Sequence, residues 1–275
     1  MSTQTDKKKK AVPAAPHRFN RYEIKYFVPE SRLPVLREAL QERLSTDPLS
    51  PPGGYRIESV YFDSPDLRFY REKIEGLKFR RKLRIRRYGN GPLDPQGPCT
   101  VEIKQRVNRV TQKRRFQLGL EDAMSLCDST GEMVGHGPNL DDLAEKVGPQ
   151  NLPLLNEIAA FVSNNQLRPI VTTTYLREAY VGSDIENGLR VTFDHNVYGR
   201  DKDFFQGEGS SHNRPIIAPD TCIVELKADE RVPLWCTDLM GRLGMDVIRI
   251  SKYCAAVQAF NTQPSSAFGS VDRVM

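Results

Sequence analysis

The chain has 275 residues, 39% of them hydrophobic, which is enough for a sizeable core in one large domain or two small ones. No window approaches the roughly 18 to 20 uninterrupted apolar residues that a bilayer crossing needs, and five cysteines (Cys99, Cys127, Cys222, Cys236, Cys254) without a CxxC pair suggest neither a disulfide framework nor a zinc site. The net charge of +5 is modest but uneven: Arg71 to Arg115 holds fifteen Lys or Arg against four acids, so the partner of this segment is expected to be strongly anionic.

In chain order, residues 1–17 carry the Lys7 to Lys10 run and read as a disordered basic tail. Arg21 to Val28 alternates, with Tyr22, Ile24, Tyr26 and Val28 on one face and Arg21, Glu23 and Lys25 on the other, which predicts a strand. Leu33, Leu36, Leu40 and Leu44 then recur at helical spacing and predict a helix over 31–44. Pro51-Pro52-Gly53-Gly54 is a turn into a strand over 55–62, and a short helix or turn is expected over 67–75. Lys78 to Tyr88 places Lys78, Arg80, Lys82, Arg84 and Arg86 on one face and Phe79, Leu83 and Ile85 on the other, a long strand with one wholly basic face. Strands at 100–105 and 110–118 follow a loop containing Gly91, Pro92, Pro95 and Pro98. From Leu120 to Asn165 the period turns helical, and strands return at 170–180, 189–194 and 222–227. The intervening 200–220 reads as a mobile loop, 232–243 as a helix, 247–257 as the end of the fold, and 261–275 as a disordered tail.

The charged faces have two readings. Either they meet solvent above a buried apolar face, or the strands close into a barrel with the charges inside and helices outside. The second is favoured by an E-x-K pattern on three strands: Glu23 with Lys25, Glu102 with Lys104, and Glu225 with Lys227. Arginine forks hold phosphate oxygens in pairs and lysine adds point charge, so such a lumen suits several linked phosphates, with the carboxylates able to hold Mg2+ or Mn2+. No P-loop, kinase signature or Rossmann glycine pattern is present, and the four histidines lack metal-ligand spacing. Nucleic-acid binding is disfavoured because the aromatics of the basic segments mostly fall off the charged face.

The segments RYEIKY (21–26), KFRRKLRIRRY (78–88), VEIK (101–104), LRVTFD (189–194), VELK (224–227) and ISKY (250–253), in that order, resemble the VTC domain. That is the polyphosphate polymerase domain of the vacuolar transporter chaperone complex, a triphosphate tunnel metalloenzyme. The resemblance implies an α+β fold over 18–260, with an antiparallel eight-stranded β-barrel tunnel and helices packed outside. It implies transfer of the terminal phosphate of ATP to a growing polyphosphate chain, with Mn2+ or Mg2+. By position, Arg84, Arg86, Lys104, Arg177 and Arg190 would be catalytic, and Lys25, Lys113 (with Arg115 its rival), Arg249 and Lys252 would bind substrate. Glu225 and Glu23 would hold the metal. Related tunnel enzymes that hydrolyse triphosphate begin with E-x-E-x-K, and Arg21 stands here at the first glutamate. The alternatives to a polymerase are an inorganic triphosphatase or nucleotide phosphohydrolase, against which the residue at Arg21 counts, and a non-catalytic polyphosphate-binding subunit. The chain shows neither the helical SPX module nor membrane helices of the eukaryotic pattern, so inositol-phosphate sensing and translocation are not expected of it. A cytoplasmic setting is expected, with no nucleic acid, no membrane insertion by this chain, and a membrane or operon-encoded partner left open.

Overall fold

The computed structural model describes residues 21–89, 94–108, 110–183, 188–204, 210–229 and 231–260. The two tails expected at 1–17 and 261–275 lie outside the described residues, as do parts of the loops around Gly91 and after Phe204. The elements run β1 (Arg21–Pro29), α1 (Leu33–Gln41), β2 (Ser45–Thr46), β3 (Tyr55–Asp63), α2 (Arg68–Ile74), β4 (Phe79–Tyr88), β5 (Pro98–Val107) and β6 (Val110–Gly119). After them come α3 (Leu120–Cys127), α4 (Leu140–Val147), α5 (Leu152–Asn165), β7 (Arg168–Val181), β8 (Arg190–Arg200), β9 (Arg214–Pro215), β10 (Thr221–Asp229), α6 (Leu234–Arg242), β11 (Val247–Ile248) and α7 (Lys252–Ala259).

All strands join one antiparallel sheet in the order β11-β1-β10-β8-β7-β3-β4-β5-β6, with β2 on β7 and β9 on β8. Eight of the eleven strands are long, and these are the strands read from sequence. The expected closure into an eight-stranded barrel is corrected: among the described residues the ladder is open. The outer edge of β1 is taken by β11, where Lys25 faces Ile248 and Tyr26 faces Val247, and β6 ends the other side.

The sheet nevertheless curls. Lys25 Nζ on β1 donates to Ile250 O (3.2 Å), and Lys82 Nζ on β4 donates to Ser251 Oγ (2.9 Å). Those strands are five spacings apart in the ladder, about 24 Å in a flat sheet at roughly 4.8 Å per strand, yet consecutive residues touch both. Bulges help to bend it. The β7–β8 register slips between Thr174 and Leu176, and Asn196 takes a left-handed φ of 50° beside the slip. Gly54 (φ +84°) lets the turn before β3 pass the Arg177 carbonyl, where a Cβ would come within 2.6 Å.

The convex, apolar face is covered by helices. On one side Leu83, Ile85, Val101, Ile103, Phe116 and Leu118 pack against Ala123, Leu126, Leu143, Leu155, Ile158 and Phe161 of α3, α4 and α5. On the other, Val224, Leu226, Val191 and Phe193 pack against Leu33, Leu36 and Leu40 of α1 and Met240 of α6. Each fully buried leucine contributes about 1.5–3 kcal/mol. Thus the leucine spacing that predicted the first helix marks its packing face, although the helix proper starts at Leu33 after a 3-10 turn (Glu30–Arg32). The stretch read as a mobile loop is partly anchored: β9 pairs with β8, and the wholly buried Arg200 donates to Asp203 O, Phe204 O and Asn213 Oδ1 and pairs with Glu58. All five cysteines are buried free thiols.

Candidate anion-binding and phosphoryl-transfer site

Alternation carries Glu23, Lys25, Arg84, Arg86, Glu102, Arg177, Asp194 and Glu225 to the concave side, and part of that face is buried. Glu102 is 1% exposed, Asp194 0%, Glu225 5% and Arg177 6%. A solvated polar face is therefore excluded for this half of the sheet.

One group gathers on β1, β10, β8, β7 and the start of α7. Glu225 Oε1 lies 3.2 Å from Lys25 Nζ and 3.5 Å from Lys252 Nζ, while Oε2 pairs with Lys227 and lies 3.8 Å from Arg177. Asp194 takes a bidentate fork from Arg177 (2.6 and 2.7 Å) and pairs with Lys252. Glu23 closes the chain on Lys25 at 3.0 Å. Burial alone would raise the Glu225 carboxyl, but Lys227, Lys252, Lys25 and Arg177 hold it well below its usual range. Asp194 behaves likewise: burial is overcome by Arg177 and Lys252. The Lys252 ammonium is raised by Asp194 and Glu225 against burial. Asp194 faces inward while its neighbour His195 faces outward, where its ring lies between Glu30 (2.9 Å) and Glu178 (3.1 Å).

The second group lies on β3, β4, β5 and β6. Arg84 pairs with Glu102 and donates to Tyr61 OH (3.3 Å), and Arg86 donates to Ser59 Oγ (3.0 Å) and Tyr175 OH (3.4 Å). Lys113 is 3.8 Å from Glu102. Lys82 bonds Ser251 Oγ and Cys254 Sγ and, among the described residues, no carboxylate; burial pushes its ammonium down to about 8. Lys113 is also pushed down to about 8, by burial first, with Glu102 opposing and Arg115 adding to the fall. The phenol of Tyr61 falls to about 8 because Arg84 and Arg86 outweigh its burial. Arg84 Nε, Thr173 Oγ1 and Thr192 Oγ1 are buried on this face without a hydrogen-bond partner among the described residues. Glu102 Oε2 is likewise without one, so donors and an acceptor both stand unsatisfied here; such atoms cost about 1–3 kcal/mol each if left dry.

Of the residues singled out from sequence, Glu23, Lys25, Arg177, Glu225 and Lys252 meet in the first group, and Arg84, Arg86 and Lys113 in the second. Lys104 is exposed, opposite Lys82 on β4 and Lys113 on β6. Arg190 reaches Asp47 (3.0 and 2.8 Å) and Tyr55 OH (3.3 Å) at the far end of the face. Arg249 is exposed between β11 and α7. Sequence reasoning passed over Asp194, Lys227 and Lys82 as site residues. The first two stand at inward positions of strands already recognised, and Lys82 lies on the basic face of β4.

A family model of the VTC domain matches residues 20–261. The chain belongs to the VTC-domain family. This VTC domain is 26% identical over 227 residues to vacuolar transporter chaperone complex subunit 4 of Trypanosoma cruzi (strain CL Brener), a match covering 74% of this chain and 28% of the relative's length. Among the described residues of the VTC domain, no three His, Cys, Asp or Glu side chains gather to cage a metal. The Glu225 carboxylate, ringed by cations, suits a divalent ion only where phosphate oxygens complete its shell, the usual way Mg2+ is held. Among the described residues no helix is long and apolar enough to cross a membrane.

Proposed function

We propose that this VTC domain is a metal-dependent polyphosphate polymerase that transfers the terminal phosphate of ATP to a growing polyphosphate chain. The observation that carries the reading is a concave face with eight cations on β4, β5 and β6 (Arg80, Lys82, Arg84, Arg86, Lys104, Arg106, Lys113, Arg115), partly buried and partly open, against the single carboxylate Glu102, with Arg84 Nε unpartnered among the described residues. The family relationship supports the substrate class. The bond between the γ-phosphorus and its bridging oxygen breaks, a terminal oxygen of the acceptor chain bonds to that phosphorus, and ADP leaves with the electron pair. The product is one unit longer, and no water is consumed.

In this reading Arg84, Arg86, Lys104, Arg177 and Arg190 neutralise charge around the transferred group, since phosphoryl transfer needs mainly positioning and charge stabilisation. Lys25, Lys113 and Lys252 bind the substrate phosphates, the exposed Arg249 adds only charge acting through solvent, and the curled sheet cradles the chain along its concave face. Glu225, with Glu23 behind Lys25, would hold Mn2+ or Mg2+ shared with phosphate oxygens, the ion supplying further neutralisation of the transferred and leaving phosphates. Lys25, Lys227 and Lys252 keep Glu225 ionised throughout. The domain would work in the cytoplasm, beside a membrane or complex partner that takes the product.

The test is incubation with ATP and Mn2+ followed by 31P NMR, with Glu225→Gln as control. Growth of internal-phosphate signal matched by ADP, and lost in the variant, is the expected result. Orthophosphate without chain growth would make it a triphosphatase. Tight polyphosphate binding without turnover would make it a binding subunit, a reading favoured by the cations already occupying both oxygens of Glu225.

A further inference from the structure

At one end of the cation-rich half, three cross-strand pairs join like charges: Arg80 opposite Arg106, Lys82 opposite Lys104, and Lys104 opposite Lys113. Like charges directly opposite destabilise a sheet, so this ladder weakens the fold that carries it. Helix α2 packs on β4 at the same end and adds Lys73. The Lys73 ammonium is pushed down by burial and then by Arg80 and Arg106, and the Arg80 guanidinium by burial and then by Arg106. Glu72, the α2 carboxylate that acts on Arg80, accepts from Arg68 through Oε1 at 3.1 Å while its Oε2 has no hydrogen-bond partner among the described residues, and Glu75 is exposed.

Helix α7 covers the other side of this end. Tyr253, Ala256 and Val257 pack with Tyr61, Tyr70 and Val171, and Lys82 reaches Ser251, while Lys104 and Arg106 of β5 remain exposed. Arg106 donates to Asn108 O at 2.9 Å. Arg80 stands four residues along β4 from Arg84, about 13 Å at roughly 3.3 Å per residue. That is too far for one phosphate group and suits a run of them.

We propose that Lys73, Arg80 and Arg106 form an outer subsite for an extended linear polyphosphate, the lane along which the chain leaves the concave face past the first turn of α7. The lane rests on the polyphosphate reading above. It predicts a dependence on chain length: a short phosphate fills the Arg84–Glu225 region without reaching it, whereas a long one touches both.

The test compares binding of tripolyphosphate and of long-chain polyphosphate to the full chain and to Lys73→Gln/Arg80→Gln/Arg106→Gln, with thermal melts of both. The expected result is long-chain affinity about tenfold weaker, equivalent to roughly 1.4 kcal/mol, with tripolyphosphate unchanged and the melting temperature equal or higher because repulsion is relieved. The slope of log affinity against log salt for the long chain should fall by roughly 0.7 per cation removed, by analogy with single-stranded nucleic acid. Equal weakening of both ligands, or of neither, overturns the lane while leaving the polyphosphate reading intact. Failure of the parent chain to bind either ligand overturns both. Should the triple variant fail to fold, the exposed Arg106→Gln alone must still separate long from short chains, or the lane is wrong.

Discussion

The two halves of the concave face solve opposite problems with the same residue types. On β1, β10, β8 and β7, with α7, four cations (Lys25, Arg177, Lys227, Lys252) are set against three carboxylates (Glu23, Asp194, Glu225) in one continuous chain of ion pairs. On β4, β5 and β6 eight cations face one carboxylate. The first half is held by its own contacts and presents fixed geometry. The second is left short of negative charge, which a polyanion would supply. Buried ion pairs are weak evidence for stability but strong evidence of interdependence, because removing one partner strands the rest.

That contrast is broken most directly at Glu225. Glu225→Gln leaves four cations around a neutral amide, and a loss of about 3–5 kcal/mol is expected, measured as a fall in the urea midpoint. Added tripolyphosphate should recover more of the lost stability in the variant than it adds to the parent, since the ligand replaces the missing charge. A variant as stable as the parent would mean that the two halves do not differ in the way the ion pairs suggest.

Lys82→Met sharpens the other side. Removing a buried, like-charged neighbour of Lys104 should raise the melting temperature while weakening polyphosphate binding about tenfold, roughly 1.4 kcal/mol. The pH dependence follows from the same residues. Below about 8 Lys82 and Lys113 are charged in the folded chain and their repulsion is fully present. Between about 8 and the ordinary lysine value of about 10.4, the folded chain gives up protons that the unfolded chain still holds. Stability should therefore rise with pH through that window while polyphosphate affinity falls. In Lys82→Met both slopes should flatten, read by melts and by binding titrations across the same buffers.

The convex face supplies a control with the reverse sign. His195 lies between Glu30 and Glu178, and Arg37 holds Glu178 with a bidentate fork at 2.9 and 3.0 Å. Burial would lower the His195 imidazole, but the two carboxylates raise it. Its contribution is full below the ordinary value of about 6.5 and is lost as pH rises through the raised folded value. His195→Ala should destabilise by about 1–3 kcal/mol, the cost of stranding buried polar partners, at pH 6 more than at pH 8, with polyphosphate affinity unchanged.

Strands such as β1, β4 and β5 were legible because charged and apolar residues largely alternate along them, and the first helix because Leu33, Leu36 and Leu40 recur on one face. The same alternation carried the site. Once Lys25, Glu225 and Arg84 share a face with their strand neighbours, the only remaining question is which way the face looks. What alternation cannot carry is anything set by a break in it. The slip in β8 at Asn196 resets the alternation so that Val197 is buried beside Ile57 and Tyr175, and no local pattern marks it. Pairing across the sheet was equally hidden. That Lys25 would meet Glu225 while Lys82 would meet Lys104 depends on register between strands. The open ladder has the same origin, since the two-residue β11 on the edge of β1 is too short to leave a periodic trace.

The smallest expected effect separates two residues three positions apart. Arg249 and Lys252 both belong to the segment that crosses from β11 to α7, and both carry one positive charge. Lys252 is 9% exposed, touches Asp194 and Glu225, and lies 4.7 Å above the Tyr175 ring, so Lys252→Met should disrupt the first half and lower both stability and anion affinity. Arg249 is exposed, so its charge acts through solvent, where single contacts and substitutions stay within about 0.5 kcal/mol. Arg249→Ala should leave the melt unchanged and weaken polyphosphate binding by no more than about twofold, a difference that grows at low salt as screening is removed. A larger loss would bring Arg249 into the anion path and extend the cation-rich half around the start of α7, so that the two halves would meet there.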